Sequence, residues 1–146
     1  EWTATGADFS QVALDKAARI AAKRNVEATW VQADVTSWTP PAESFDLVLV
    51  FYLQLPAGSR SVAFGAAARA VAPGGTLLIV GHDSANLTDG YGGPQDASVL
   101  YTPDDVVGDI TAAQLDVVKA QSVERQVDTD DGPRTAIDCL VRATRR

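Results

Sequence analysis

A nine-residue apolar segment constrains the fold of this chain more than any other feature. Residues 45–53 read Phe-Asp-Leu-Val-Leu-Val-Phe-Tyr-Leu, so almost every position is apolar. A continuous run of this kind is typical of a strand covered on both faces, as in a parallel sheet, and a buried helix is the competing interpretation. The short length and the β-branched and aromatic content favour the strand.

The rest of the first two thirds of the chain alternates between strand and helix patterns. Strands are predicted at residues 3–7, 28–32 and 76–81. Helices are predicted after Ser10, whose hydroxyl is a suitable N-cap, and over residues 59–71, where apolar positions recur at helical spacing. We expect the polar, glycine-containing segment that follows the third of these strands to be a long functional loop.

The last third of the chain predicts one further helix and a hairpin. Residues 102–105, Thr-Pro-Asp-Asp, combine a cap, a proline at the first helical position and acids in the first turn. Strand patterns at 115–127 and 135–144 flank the turn Asp-Thr-Asp-Asp-Gly-Pro. The sequence therefore predicts a single α/β domain over residues 1–146, with a doubly wound, mostly parallel sheet that ends in an antiparallel hairpin.

Composition excludes several classes of function. The 146 residues carry a formal net charge of −7, which disfavours nucleic acid as a partner. One cysteine and one histidine rule out a zinc site of the CxxC type and a histidine-rich metal site. We find no apolar run of roughly 18 residues for a membrane span and no signal peptide, so a cytoplasmic location is the expectation.

Polar residues follow four predicted strands, at the sheet edge where such folds bind ligands. Asp8, Asp34, Gln54 and His82 each lie just after a strand. A carboxylate there can accept from two ribose hydroxyls, and a second can accept from the adenine amine while the Val35 N–H reaches a ring nitrogen. The alternative is that both acids cap turns or helices.

Four segments in register carry a family resemblance. They are Gly-Ala-Asp-Phe-Ser at 6–10, Gln-Ala-Asp-Val at 32–35, Phe-Asp-Leu-Val at 45–48 and Ala-Pro-Gly-Gly-Thr-Leu-Leu at 72–78. Their order and spacing resemble strands two to five of the class I S-adenosylmethionine-dependent methyltransferases, and the terminal hairpin resembles strands six and seven. The resemblance implies a Rossmann-like sheet of order 3-2-1-4-5-7-6, with S-adenosylmethionine as the cofactor. Within the family it is greatest to small-molecule enzymes of the tellurite-resistance and thiopurine type.

The resemblance also implies roles for individual residues. Asp8 would bind the ribose and Asp34 the adenine amine, with Phe9 and Val35 packing on the adenine. The segment Phe51–Gln54 would lie beside the methionine half of the cofactor.

One element of the family pattern is not found in the sequence. The glycine-rich turn after the first family strand precedes the ribose-binding acid by roughly 20 residues, and counting back from Asp8 places it before residue 1. Because the chain also begins at Glu1 and contains no methionine, we expect an N-terminally truncated domain without its first strand. The fragment alone is then expected to bind the cofactor weakly and to be inactive. Its unpaired sheet edges would pair anew, and a homo-oligomer is one way to do so.

The acceptor side of the site is expected in the loop after the fifth family strand. His82 is the candidate general base, or a substrate ligand, because an unperturbed imidazole pKa near 6.5 suits proton transfer. Gln54, Tyr91, Gln95 and Tyr101 are the candidate substrate-binding residues. The alternative for His82 is a structural role in the loop. The alternative for the loop is a mobile surface segment without a function in binding.

Two other functional classes stay open at this point. A nicotinamide-dependent oxidoreductase shares the acid at a strand end, although the Asp34–Val35 pair and the Pro-Gly-Gly turn are less expected there. The other is a non-catalytic oligomerisation or regulatory remnant of the fold. The sequence favours methyl transfer to a small-molecule acceptor in the intact protein.

Overall fold

A computed structural model describes residues 2–146 in two compact units. The first ends at Thr39 and the second comprises Pro40–Arg146. The strands and helices, numbered along the chain, are β1 Ala4–Asp8, α1 Gln11–Lys23, β2 Ala28–Gln32, β3 Phe45–Phe51, α2 Ala57–Ala70, β4 Val71–His82, α3 Asn86–Asp89, α4 Pro103–Ile110, β5 Asp116–Thr129 and β6 Gly132–Thr144.

The first unit is a β-α-β element with parallel strands. β1 and β2 pair from Ala4 opposite Ala28 to Asp8 opposite Gln32. The Ser10 side chain accepts from the Ala13 N–H at the start of α1, as the sequence predicts for an N-cap.

The second unit contains a four-stranded mixed sheet in the order β3-β4-β6-β5. β3 and β4 are parallel, whereas β6 is antiparallel to both β4 and β5. In family numbering the two sheets read 3-2 and 4-5-7-6, and within each sheet the strand order agrees with the predicted one. Among residues 2–146, no strand pairs with the second edge of β1 or of β3. The Rossmann-like α/β fold class is thus confirmed, while the assignment of residues 1–146 to a single domain stays a prediction.

β3 differs from the expectation of a strand buried on both faces. Its side chains alternate, and Leu47, Leu49 and Phe51 are 39%, 50% and 54% exposed. The apolar run correctly predicts a strand, but β3 is an edge strand of its sheet, so one apolar face has no covering layer within the described chain.

The core of the second unit lies between α2, α4 and the sheet. Phe64 of α2, Leu77 and Ile79 of β4, and Val141 of β6 are fully buried. The Phe64 ring meets Tyr101 edge-on, with 5.6 Å between ring centroids. α2 passes directly into β4 at Val71. The Pro-Gly-Gly sequence therefore lies inside β4, at a break in its register with β3, and not in a separate turn.

The expected long loop contains regular structure. It holds the short helix α3 and a 3-10 turn at Ala97–Val99, and an isolated bridge joins Asp83 to Tyr101 near its two ends. α4 then begins with a complete capping box between Thr102 and Asp105. The β5–β6 hairpin confirms the predicted antiparallel ending. None of the helices between residues 2 and 146 is long and apolar enough to cross a membrane.

Candidate functional site

The acid at the end of β1 uses one carboxylate oxygen for a local turn. Asp8 is half-buried, and its Oδ1 accepts from the Ser10 N–H at 2.8 Å. No described residue donates a hydrogen bond to its Oδ2. The Ala33 N–H donates to the Asp8 carbonyl at 3.0 Å, which ties the ends of β1 and β2 together. Asp8 thus stabilises a turn and still presents an acceptor oxygen at the carboxyl end of the sheet.

The acid after β2 has a similar arrangement. Asp34 is exposed, and its Oδ1 accepts from both the Thr36 N–H at 2.9 Å and the Thr36 hydroxyl at 2.7 Å. These two hydrogen bonds favour the ionised form and lower the pKa of Asp34. Val35 beside it is half-buried. The turn-capping alternative therefore holds for both acids, and each carboxylate keeps its other oxygen for a ligand.

The two aromatic residues assigned to the cofactor are exposed. Phe9 follows Asp8 in the first unit and is 77% exposed, an unusual surface position for a large apolar side chain. Phe51 ends β3 in the second unit, on the exposed face of that strand. A role in ligand packing stays a prediction for both.

A buried polar cluster lies where β3 and β4 end in the second unit. Its centre is Asp138, which is 1% exposed and is the cross-strand partner of His82. The Asp138 Oδ2 accepts from the Tyr52 hydroxyl at 2.9 Å and from the Arg125 Nε at 2.7 Å. The Arg125 guanidinium also lies 5.7 Å from the centre of the Tyr52 ring. We call these four residues the Asp138 cluster: Tyr52, His82, Arg125 and Asp138.

The imidazole of His82 packs tightly within this cluster. Its ring lies 4.9 Å from that of Tyr52, and a Cβ on Gly93 would approach its Nδ1 to 2.9 Å. Nδ1 is buried without a hydrogen-bond partner, 3.6 Å from the Asp138 Oδ1. Burial lowers the pKa of His82 more than the nearby Asp138 carboxylate raises it. The lowered pKa favours the neutral imidazole at neutral pH, in which the contact with Asp138 is a polar contact between a carboxylate and an uncharged ring.

Two of the residues predicted to bind substrate, half-buried Gln54 and buried Tyr101, make hydrogen bonds within the fold. The Gln54 Oε1 accepts from the His82 N–H at 3.0 Å, and its Nε2 donates to the Val99 carbonyl at 2.8 Å. Tyr101 is fully buried, and its hydroxyl donates to the Leu53 carbonyl at 3.3 Å. Since Tyr101 is a core residue, the structure gives no surface through which it meets an acceptor.

The other two predicted acceptor residues lie at the surface of the same loop. Tyr91 is 44% exposed, and Arg134 lies 6.0 Å from its ring centre. Gln95 is exposed and donates to the Gly93 carbonyl at 3.3 Å. The base of the loop is anchored by buried Asn86, whose Oδ1 accepts from the Ile137 N–H and whose Nδ2 donates to a carbonyl within the loop. The tip of the loop is thus exposed, and acceptor binding by Tyr91 and Gln95 stays a prediction.

Sequence reasoning missed three members of the Asp138 cluster. Tyr52 follows β3 directly and has a positive φ of 52°, a conformation that non-glycine residues rarely adopt. The other buried residues of β6 have small or apolar side chains. A single acid among them was the feature of the sequence that could have indicated Asp138. Arg125 carries no local signal, because only the β5–β6 register brings it beside Asp138.

Comparisons with known proteins agree with this architecture. A family model described as a methyltransferase domain matches residues 1–75. No curated protein matches the sequence. Among solved structures, TehB from Haemophilus influenzae has a TM-score of 0.77 at 13% identity, over 99% of this chain and 50% of that one. A SAM-dependent methyltransferase from Methanosarcina mazei has a TM-score of 0.70 at 16% identity, over 97% and 81% of the two chains.

A third similar structure is an N-methyltransferase. NodS from Bradyrhizobium japonicum WM9, in complex with S-adenosyl-L-homocysteine, has a TM-score of 0.68 at 22% identity, over 97% of this chain and 65% of that one. This chain thus spans between half and about four fifths of the structures it resembles. At these identities the likeness shows the fold, whereas the family model covers more than half of the chain. The chain belongs to the methyltransferase-domain family, the class I S-adenosylmethionine-dependent methyltransferases.

Proposed function

We propose that the protein transfers a methyl group from S-adenosylmethionine to a small-molecule acceptor. The observation that carries the proposal is the pair of carboxylates at adjacent strand ends, Asp8 as the last residue of β1 and Asp34 just after β2, each with one oxygen left for a ligand. Such a pair suits an adenosine group, because one acid can accept from the vicinal ribose hydroxyls and the other from the adenine amine.

The residues present fit the adenosine half of the cofactor. The Asp8 Oδ2 would accept from a ribose hydroxyl while Oδ1 keeps its hydrogen bond to the Ser10 N–H. The low pKa of Asp34 keeps that carboxylate ionised and ready to accept from the adenine amine. Phe9, exposed beside Asp8, would cover one face of the purine. When bound, the cofactor supplies an already activated methyl group on a sulfonium.

The chain's own contribution to the reaction is then mainly positioning. Holding the nucleophile in line with the methyl carbon converts a bimolecular step into an effectively unimolecular one. We propose that the acceptor binds near the Asp138 cluster, with Tyr91 and Gln95 of the loop tip as further contacts. The charge of −7 supports a small molecule over a polyanionic nucleic acid.

Isothermal titration of the natural full-length polypeptide with S-adenosylhomocysteine tests the cofactor site. Asp8→Asn retains an oxygen for the Ser10 N–H but removes the charge that ribose hydroxyls would meet. Since a hydrogen bond to a charged group is worth about 1.5–3 kcal/mol, the dissociation constant should rise by about 10- to 150-fold. Asp34→Asn should also weaken binding.

Asp15→Asn is the matched control, because it removes an exposed carboxylate of α1 in the same unit. Its affinity should equal that of the wild type. Unchanged affinity in Asp8→Asn would refute the assignment of that residue to the ribose. Binding of NADH in place of S-adenosylhomocysteine would overturn the proposed function itself.

A further inference from the structure

The unpartnered nitrogen of His82 points to a function for the Asp138 cluster beyond cofactor binding. Nδ1 is buried and lacks a hydrogen bond, yet the Asp138 Oδ1 lies only 3.6 Å away. The two residues face each other because they are direct cross-strand partners in β4 and β6. The His82 side chain as a whole is 17% exposed, so the ring is not sealed off from solvent.

The charge of Asp138 decides which nitrogen of a neutral His82 carries the proton. A lone pair on Nδ1 would face the carboxylate oxygen at 3.6 Å and be repelled by it. An N–H at Nδ1 is instead attracted and needs a movement of a few tenths of an ångström to form a hydrogen bond. Hydrogen bonds of catalytic groups are often this long before substrate binds.

The other contacts of Asp138 leave its Oδ1 available for this hydrogen bond. Tyr52 and the Nε of Arg125 both donate to Oδ2, whereas Oδ1 has only a long contact of 3.4 Å with the Arg125 Nη2. Two well-formed bonds therefore fix the carboxylate, and its less occupied oxygen faces the imidazole.

We propose that Asp138 is a positioning residue that holds His82 as its Nδ1–H tautomer, so that Nε2 accepts the proton of an O–H or N–H nucleophile on the acceptor. This inference rests on the proposed methyl transfer and names the class of acceptor. The nucleophile bonds to the methyl carbon, the carbon–sulfur bond breaks with its electron pair left on sulfur, and the proton goes to Nε2. The resulting imidazolium then loses that proton to water.

The charges around His82 are consistent with an imidazole that is unprotonated at neutral pH and can therefore accept a proton. Asp138 faces it from β6, Arg125 from β5 and the Tyr52 phenol from the end of β3. Burial and Arg125 lower the pKa of His82, while Asp138 raises it. The net lowering keeps the imidazole unprotonated, and the Tyr52 hydroxyl stays a donor because its own pKa is raised by burial and by Asp138.

Nitrogen-15 NMR of the imidazole tests the tautomer directly. His82 is the only histidine of the chain, so its two ring nitrogens need no assignment among several residues. At pH 8 we expect the Nδ1 shift in the range of a protonated ring nitrogen and the Nε2 shift in the range of an unprotonated one. This measurement requires neither cofactor nor acceptor.

Two variants separate the charge of Asp138 from its structural role. Asp138→Asn should lose the Nδ1–H pattern in favour of Nε2–H, and the pKa of His82 should fall further because a charge that raises it has gone. Tyr52→Phe removes one hydrogen bond to the same carboxylate but leaves the charge, so the Nδ1–H pattern should persist.

The wild-type spectrum alone can overturn the inference, even where Asp138→Asn fails to fold. A wild-type His82 protonated at Nε2 would contradict it, as would an unchanged Nδ1–H pattern in a folded Asp138→Asn variant. The titration with S-adenosylhomocysteine tests cofactor binding, and the NMR spectrum of His82 tests the tautomer. The proposed methyl transfer and the proposed role of Asp138 can therefore fail separately.

Discussion

Gly81 occupies a point in β4 at which a side chain has no room. A Cβ built there would lie 2.6 Å from the Gln54 Oε1 and closer still to the Tyr101 hydroxyl. Tyr101 is fully buried and Gln54 is hydrogen-bonded on both amide atoms, so neither can move aside at low cost. The glycine therefore permits the close approach that connects the loop to the end of β4.

We expect Gly81→Ala to lower the free energy of unfolding by about 1–3 kcal/mol, the usual cost of overpacking a core. Urea denaturation followed by circular dichroism measures this change. Gly58→Ala is the control, because a Cβ in that position of α2 meets no atom within 4 Å. It should stabilise the protein by about 0.4–1 kcal/mol through the unfolded chain. A neutral Gly81→Ala would contradict the packing described above.

The start of α4 shows how a short sequence motif determines an element. The Thr102 hydroxyl accepts from the Asp105 N–H, and the Asp105 carboxylate accepts from the Thr102 N–H at 2.8 Å. These bonds satisfy backbone donors that a helix start otherwise leaves unpaired. The Asp105 carboxylate accepts from both the Thr102 N–H and the Thr102 hydroxyl, and these two hydrogen bonds lower the pKa of Asp105.

Thr102→Ala removes the cap, and we expect a loss of about 1 kcal/mol in the free energy of unfolding. Thr102→Ser retains a hydroxyl in the same position and should keep most of that stability. Thermal unfolding of the three proteins makes the comparison. A loss of equal size in both variants would mean that the methyl group, and not the hydroxyl, stabilises the helix start.

Local patterns predicted the elements well, because their causes lie within a few residues. The bounds of β2, the cap at Ser10 and the helix start at Thr102 all follow from neighbouring residues. The exposed face of β3 could not be predicted in this way, because the exposure of a strand depends on which other elements cover it. The Asp138 cluster was missed for a related reason: Tyr52 and Asp138 are 86 positions apart and meet only through the sheet.

At the scale of the whole molecule, the side chains whose pKa is shifted in the folded state predict that the free energy of unfolding is greatest at neutral to mildly alkaline pH. A lowered His82 pKa means that the unfolded chain binds more protons, so stability is lost as pH falls through about 6.5. The lowered pKa of Asp34, Asp96 and Asp105 adds a second loss below about pH 4. Burial raises the pKa of the Cys139 thiol from 9.0 to about 12, so stability is also lost as pH rises above about 9.

Urea denaturation across this pH range, followed by circular dichroism, checks the prediction. His82→Gln should remove only the change in the free energy of unfolding between about pH 5 and 7. The losses of stability at lower and at higher pH should remain. A variant that still loses stability in that window as steeply as the wild type would show that another group is responsible.

The boundary between Thr39 and Pro40 also divides the chromophores of the chain. All three tryptophans, Trp2, Trp30 and Trp38, precede it, and all three tyrosines, Tyr52, Tyr91 and Tyr101, follow it. Indole fluorescence, excited at wavelengths that the phenols do not absorb, therefore reports on the unit that carries Asp8 and Asp34. An unlabelled sample thus gives an optical signal for adenosine binding to which no tyrosine of the second unit contributes directly.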